Sequence, residues 1–218
     1  MSQNQSNQSD KSKQISPAVV NRLPRYYRYL SELIRIGKFK ISSKELSKLM
    51  NVTASQIRQD LNCFGGFGQQ GYGYNIKQLH SEIGRILGVE RGFSSVIVGA
   101  GNLGKTISKS GLFVKRGVTL MGLFDISPEV IGTEIAGFIV MDIKKAADYC
   151  RENKTDIAVL TLPKDETEPV ADMLAEAGVK GFWNFSNMEL KIDRPDVKVQ
   201  NIHMGDSLMM LCFELNNI

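Results

Sequence analysis

The hexapeptide Gly99-Ala100-Gly101-Asn102-Leu103-Gly104 spaces its glycines as GxGxxG directly after the apolar run "SSVIV". Residues of this type in this order could hold a pyrophosphate. The first glycine permits a tight turn, the second lets backbone approach the phosphates, and the third lets a helix pack closely on the preceding strand. The anion would rest on free N–H groups at that helix's N-terminus. A second run, "TLMGLFD", ends at Asp125, 21 residues beyond Gly104. An acid there accepts hydrogen bonds from adenosine ribose hydroxyls and repels a 2′-phosphate, which favours NAD(H) over NADP(H). Thr161, Pro163 and Asn184 end two more apolar runs, "DIAVLTLP" and "VKGFWNF", on the side where parallel sheets bind ligands.

A different chemistry lies upstream. "ISSKELSKLM" (41–50) and "TASQIRQDLNCF" are joined by the three residues "NVT". Ser42 with Glu45, and Thr53 with Gln56, each have capping-box spacing, so two short helices joined by a tight turn are expected. Leu46 and Leu49 give the first an apolar face, and Ile57 and Leu61 hold the second to a core. That is a helix-turn-helix whose second helix would read DNA. Its polar positions are Ser55, Gln56, Arg58 and Gln59, with Ser43 and Thr53 at the two helix starts. Glutamine can pair with adenine and arginine with guanine in the major groove. An ordinary solvated helix face would offer the same residue types. The following "GGFGQQGYGYN" interleaves glycines with aromatics and reads as a β-hairpin, the wing of a winged helix. Gly71, Tyr72 and Gly73 would lie near the phosphate backbone or the minor groove.

Residues 1–16 are polar and are expected to form a disordered tail. From Pro17 to about Ile36, Val20, Leu23, Tyr27, Leu30 and Ile34 recur at helical spacing; Pro24 bends or restarts that helix, and Gly37 closes it. "IKQLHSEIGRIL" (76–87) is an amphipathic helix leading to a boundary near Gly88–Gly92. The expected fold is α/β. A winged helix-turn-helix occupies 17–88, a Rossmann domain with a doubly wound parallel sheet 89–203, and a C-terminal helix 204–218. "VKVQNI" (197–202) supplies a last strand. "DSLMMLCFEL" is apolar nearly all round, so it buries itself against a second subunit or fills the monomer's own core.

Charge divides along the same line. Residues 1–90 carry 13 Lys/Arg against 6 Asp/Glu, and the rest 14 against 17, within a net charge of +4. The first half suits a polyanion. Three widely spaced cysteines form neither a disulfide framework nor a zinc pattern, which fits a reducing cytoplasm. No apolar run approaches the roughly 20 residues that span a bilayer. The two histidines, His80 and His203, stand in no recognisable acid–base constellation. An NAD-dependent enzyme carrying a DNA-binding domain is thus the weaker reading. A third reading makes the Rossmann domain a dimerisation scaffold or the sensor of another ligand.

From Pro17 onward the chain resembles the Rex family of redox-sensing transcriptional repressors. The motifs are "RLPRYYRYL", "SSKEL", "VTASQIRQDL", "GYGYN", "VGAGNLG", "FDISPEVIG", "LTLP" and "GFWNFS". The resemblance implies a homodimer on a palindromic double-stranded operator, with each C-terminal helix exchanged onto the partner. It implies NADH/NAD+ as regulatory ligand, NADH releasing DNA. It also implies that Arg28 links the DNA-binding domain to the sensor. The family's usual tyrosine after the glycine-loop helix is Ser110 here, and its aspartate near the C-terminal helix is His203, followed by Met204. Ser110 is too short to replace a phenol, and His203 offers no carboxylate. Gln69 and Gln70 replace the usual basic wing residues. The departures imply weakened redox discrimination and softer phosphate affinity.

Overall fold

The computed structural model describes residues 16–63, 68–69 and 73–217, and the chain divides into two compact units between Glu90 and Arg91. The expected tail (1–16), apart from Ser16, lies outside the described residues, as do Gln70, Gly71 and Tyr72 of the expected wing.

The first unit opens with α1 (Pro17–Val20), capped by the Ser16 hydroxyl, and α2 (Leu23–Arg35). Pro24 restarts the helix: it sits in the first turn of α2, where a missing N–H costs nothing. The buried stripe is Val19, Leu23, Tyr26, Leu30 and Leu33. The helical spacing in the sequence points Val20, Tyr27 and Ile34 to that stripe instead. The break at Asn21–Arg22 shifts the phase by one residue and leaves Val20 exposed. Gly37, at φ +74°, ends the helix as expected.

Next come β1 (Lys40–Ile41), α3 (Ser43–Met50) and α4 (Ala54–Asn62). The Ser42–Glu45 capping box is complete. Only half of the second forms, the Thr53 Oγ1 accepting the Gln56 N–H at 3.1 Å while the Gln56 side chain goes elsewhere. Leu46 is buried, but Leu49 is exposed, and Met50 takes its expected place inside. Strands β2 (Gly68–Gln69) and β3 (Gly73–Asn75) pair antiparallel as the expected hairpin, and β1 adds to β3. Gly73 is at φ +73°, and a Cβ there would meet the Ile41 carbonyl oxygen at 2.7 Å. Helix α5 (Ile76–Ile86) completes the core with Ile76, Leu79 and Ile83.

The second unit is a six-stranded parallel sheet. Its strands are β4 (Phe93–Val98), β5 (Val118–Asp125), β8 (Met141–Asp142), β9 (Ile157–Leu160), β10 (Gly181–Asn184) and β11 (Lys198–Asn201). Their order is β11-β10-β9-β4-β5-β8, so the winding reverses between β4 and β9. The central strands β4, β5 and β9 are buried toward their C-terminal ends, which is why they read as apolar runs. Val96, Val98, Ala158, Leu160 and Phe182 face α7 (Ala146–Glu152) and α8 (Lys164–Glu176). The alternate residues Ile97, Leu123 and Val159 face Phe113 and, on α6 (Asn102–Lys109), Ile107. A small hairpin, β6 (Glu134–Ile135) with β7 (Phe138–Ile139), precedes β8.

The last helix, α9 (Met204–Leu215), has no buried residue. Leu208, Met209, Met210, Leu211, Phe213 and Leu215 are each at least half exposed. The chain's own core is therefore not what covers them. Among the described residues no helix is long and apolar enough to cross a membrane.

Candidate functional site

The reversal point of the sheet brings the glycine loop against the end of β9. Val98 pairs with Leu160, which sets Gly99 beside Thr161. The Thr161 N–H donates to the Val98 carbonyl at 2.9 Å, and its hydroxyl donates to the Gly99 carbonyl at 2.6 Å. Gly99 has φ +98°, and a Cβ there would lie 2.6 Å from the Thr161 carbonyl oxygen. A Cβ on Gly104 would lie 2.0 Å from the Gly99 carbonyl oxygen. A Cβ on Gly101 would meet nothing within 4 Å. The first and third glycines close the turn, and the second faces open space.

Only Gly99, Ala100 and Gly101 separate β4 from α6. The first-turn N–H groups of Asn102, Leu103 and Gly104 have no intrahelical acceptor, and the N-cap Gly101 has no side chain to bond them. Asp125, 9% exposed, stands opposite. One oxygen accepts the Ala100 N–H at 2.6 Å and the other the Ser127 N–H at 2.8 Å. The carboxylate thus holds the loop while keeping lone pairs for a further donor. Pro163 is exposed at the N-terminus of α8.

Asn184 differs from its expected role as a direct ligand. It is 1% exposed, and all four hydrogen-bonding positions are occupied. Its amide donates to the Met188 carbonyl at 3.0 Å and to the Asn201 side chain at 2.8 Å. Its oxygen accepts from the Ser186 N–H and hydroxyl at 3.0 and 2.6 Å. A polar residue at a strand end has two uses, and here the connection after β10 takes every bond.

In the first unit, the Arg58 guanidinium donates to the Ser43 hydroxyl at 3.2 Å, linking the middle of α4 to the start of α3. Ser55, Arg58 and Gln59 are exposed, and Ile57 and Leu61 are buried, as the spacing predicted. Gln56 turns inward: its amide donates to Asp60 at 2.8 Å. Asp60 is buried and takes a two-point contact from Arg22, both bonds 2.7 Å, and the Tyr26 hydroxyl at 2.8 Å. Burial pushes its pKa up, but the bonds from Arg22, Gln56 and Tyr26 and the arginine charge carry it below the usual carboxylate range. Burial, and then the bond to Asp60, raise Tyr26 well above its ordinary value. Sequence reasoning missed this network. Its one signal was a carboxylate on the buried side of α4, one turn from Gln56.

Arg28 is exposed, its guanidinium 5.3 Å from the Tyr29 ring centroid. The Ser110 hydroxyl donates back to the Ile107 carbonyl at 2.7 Å. His203 Nε2 lies 2.9 Å from a Glu189 oxygen, and this contact draws Glu189 below its ordinary pKa. Met204 is 60% exposed at the start of α9.

Two family models match the chain, "Putative DNA-binding protein N-terminus" over residues 14–62 and "CoA binding domain" over residues 90–188. The redox-sensing transcriptional repressor Rex of Thermoanaerobacter pseudethanolicus is 49% identical over 206 residues, covering 94% of this chain and 92% of its own. The chain belongs to the Rex family of redox-sensing transcriptional repressors. Rex of Clostridium perfringens strain SM101 is 46% identical over 208 residues, covering 95% of this chain and 98% of its own. Among solved structures, the Rex-family repressor RSP in complex with β-NAD+ and operator DNA matches with a TM-score of 0.86 at 48% identity, over 93% of each chain. RSP in complex with β-NADH matches at 0.85 and 45% identity, over 93% of this chain and 95% of its own. Rex relatives are named as repressors, so the enzyme reading has no support among them.

Proposed function

We propose that this Rex-family protein is a cytoplasmic, homodimeric repressor that binds palindromic operator DNA and answers to NADH/NAD+. The observation that carries the reading is one chain holding both a glycine loop at a sheet's winding reversal and a helix-turn-helix with an exposed polar reader face. Ser55, Arg58 and Gln59 read the major groove, while Ser43 and Thr53 contact the backbone with Gly71, Tyr72 and Gly73 of the wing. Gly99, Ala100, Gly101, Asn102, Leu103 and Gly104 cradle the pyrophosphate on the α6 N-terminus. Asp125 accepts the ribose hydroxyls, and Thr161 and Pro163 border the crevice. Asn184 acts only through the connection it shapes.

Helix α9 passes onto the second subunit, which gives its exposed apolar surface a cover. NADH binding releases DNA. Arg28, Ser110, His203 and Met204 occupy the positions of the redox-sensing network, and Ser110 spends its hydroxyl on its own helix while His203 spends its ring on Glu189. Discrimination between NADH and NAD+ is accordingly shallower than in members that keep the tyrosine and aspartate. The deciding experiment is an electrophoretic shift series on a palindromic operator with saturating NADH or NAD+ added separately. NADH is expected to release DNA more strongly than NAD+, by a modest ratio; a large release specific to NADH would show that other residues do the switching. Binding indifferent to both would leave the Rossmann unit a scaffold.

A further inference from the structure

Two arginines one helical turn apart hold both helices of the helix-turn-helix. Arg22, in the break before α2, grips Asp60 of α4 through two bonds, and Arg25, in the first turn of α2, donates to the Met50 carbonyl at the end of α3 at 2.7 Å. Asp60 receives four donors on two oxygens: two from Arg22, one from Tyr26 and one from Gln56. That uses the full accepting capacity of an ionised carboxylate. Ile57 and Leu61 set which face of α4 meets the core, but as non-directional contacts they fix its rotation only coarsely. A two-point arginine–carboxylate pair fixes orientation as well as distance. Tyr26, fully buried in the same core, adds a third fixed direction.

The same carboxylate restricts Gln56. A glutamine reads adenine by offering its amide N–H and its carbonyl oxygen together. One Nε2 hydrogen is donated to Asp60, which ties the half-buried Gln56 carboxamide into the Arg22–Tyr26–Asp60 network and away from a paired approach to adenine.

We propose that Asp60 is the positioning residue of the reader helix: it fixes the rotation of α4 and withdraws Gln56 from base reading, leaving Ser55, Arg58 and Gln59 to set operator preference. This rests on the DNA-binding reading above. Phosphate contacts, which carry no sequence information, depend less on that rotation than base contacts do.

The test uses the full chain, a palindromic duplex library with randomised half-sites, and a fixed unrelated duplex as the measure of non-specific binding. Gln56→Ala is expected to enrich the wild-type consensus and to bind it within about threefold. Asp60→Asn is expected to lower the ratio of consensus to unrelated-duplex affinity by about tenfold or more, with unrelated-duplex binding nearly unchanged. A melting scan verifies that the variant is folded at the assay temperature; loss of stability alone would not move that ratio. Tyr26→Phe, which deletes one bond, is expected to give a smaller fall, and it decides the matter if Asp60→Asn does not fold. A changed base preference in Gln56→Ala overturns the proposal. So does an undiminished ratio in Asp60→Asn, or in Tyr26→Phe where only that variant folds. A wild-type protein that enriches no sequence would instead sink the DNA-binding reading itself.

Discussion

Asp125 reaches back from the end of β5 to accept the Ala100 N–H at 2.6 Å, so the acid that closes one strand also fixes the glycine turn that follows its neighbour. A carboxylate with one oxygen on the loop and one on Ser127 is doubly anchored before any ribose arrives. Asp125→Ala removes an ionised acceptor and is expected to weaken NADH binding by about 1.5–3 kcal/mol, while relaxing the bias against NADPH. Asp125→Asn retains one acceptor oxygen for two backbone N–H groups, so it recovers only part of that loss. Calorimetric titrations with NADH and NADPH read both effects. If either variant excludes NADPH as strongly as the native protein, Asp125 does not select the cofactor.

The three glycines separate folding from binding. Gly99→Ala or Gly104→Ala would drive a methyl into carbonyl oxygen at 2.6 or 2.0 Å, and each is expected to destabilise the second unit by about 2–4 kcal/mol. Gly101→Ala meets open space at φ −69°, so its melting temperature should be that of the native chain. Its methyl would stand where the pyrophosphate approaches, and nucleotide affinity should fall at least about tenfold. Paired melting and titration curves distinguish the two classes. Equal melting temperatures for all three would show that the loop is not packed as described.

Much of this was legible because it is local. The Ser42–Glu45 cap, the turn at Gly37 and the run from Ser94 to Gly104 depend on residues a few positions apart, and all appear where the spacing put them. The misplaced features depend on partners far along the chain. Asp60 meets Arg22 across 38 residues, and its place on the buried side of α4 does not say which cation it meets. Asn184 has the position of a ligand, yet Asn201, 17 residues on, claims its amide. The one-residue phase error in the first helix arose because the Asn21–Arg22 break rotates α2 relative to α1. Strands of two residues, such as β6, β7 and β8, are too short to carry an alternation.

Arg58 is exposed and, among the described residues, donates one bond, to Ser43, leaving other guanidinium donors for a base. Arg58→Ala is expected to weaken operator binding by about 1–3 kcal/mol with nucleotide affinity unchanged. Shift assays at a fixed salt concentration provide the measurement. Unaltered operator binding would remove Arg58 from the reader set.

Asp60 also gives the first unit a pH dependence. Its folded pKa lies below its unfolded value, so the unfolded chain binds the extra proton between the two. The stabilisation is complete above the ordinary aspartate value of about 4 and is lost as pH falls through the lower folded value. Glu45, drawn down to about 2 by its bonds from Lys38 and Ser42, acts in the same direction. Unfolding followed from pH 6 to pH 2 should show native and Asp60→Asn proteins converging as the acid is neutralised. A stability gap that stays constant across that range would mean that the charge on Asp60 contributes nothing.

Helix α9 exposes Leu208, Leu211, Phe213 and Leu215, and none of its residues is buried among the described residues. A second subunit that covers them would bury about 25 cal/mol for each Å2 of apolar surface removed from water, and several such side chains together would stabilise a dimer. Leu211→Glu with Phe213→Glu puts two carboxylates into that surface, where desolvation opposes association. Sedimentation of the double variant should give a monomer at concentrations where the native chain is dimeric. Operator affinity should fall with it, since a palindrome rewards two linked readers over one. A native chain that sediments as a monomer, or a double variant that remains a dimer, would mean that α9 is not the contact joining the subunits.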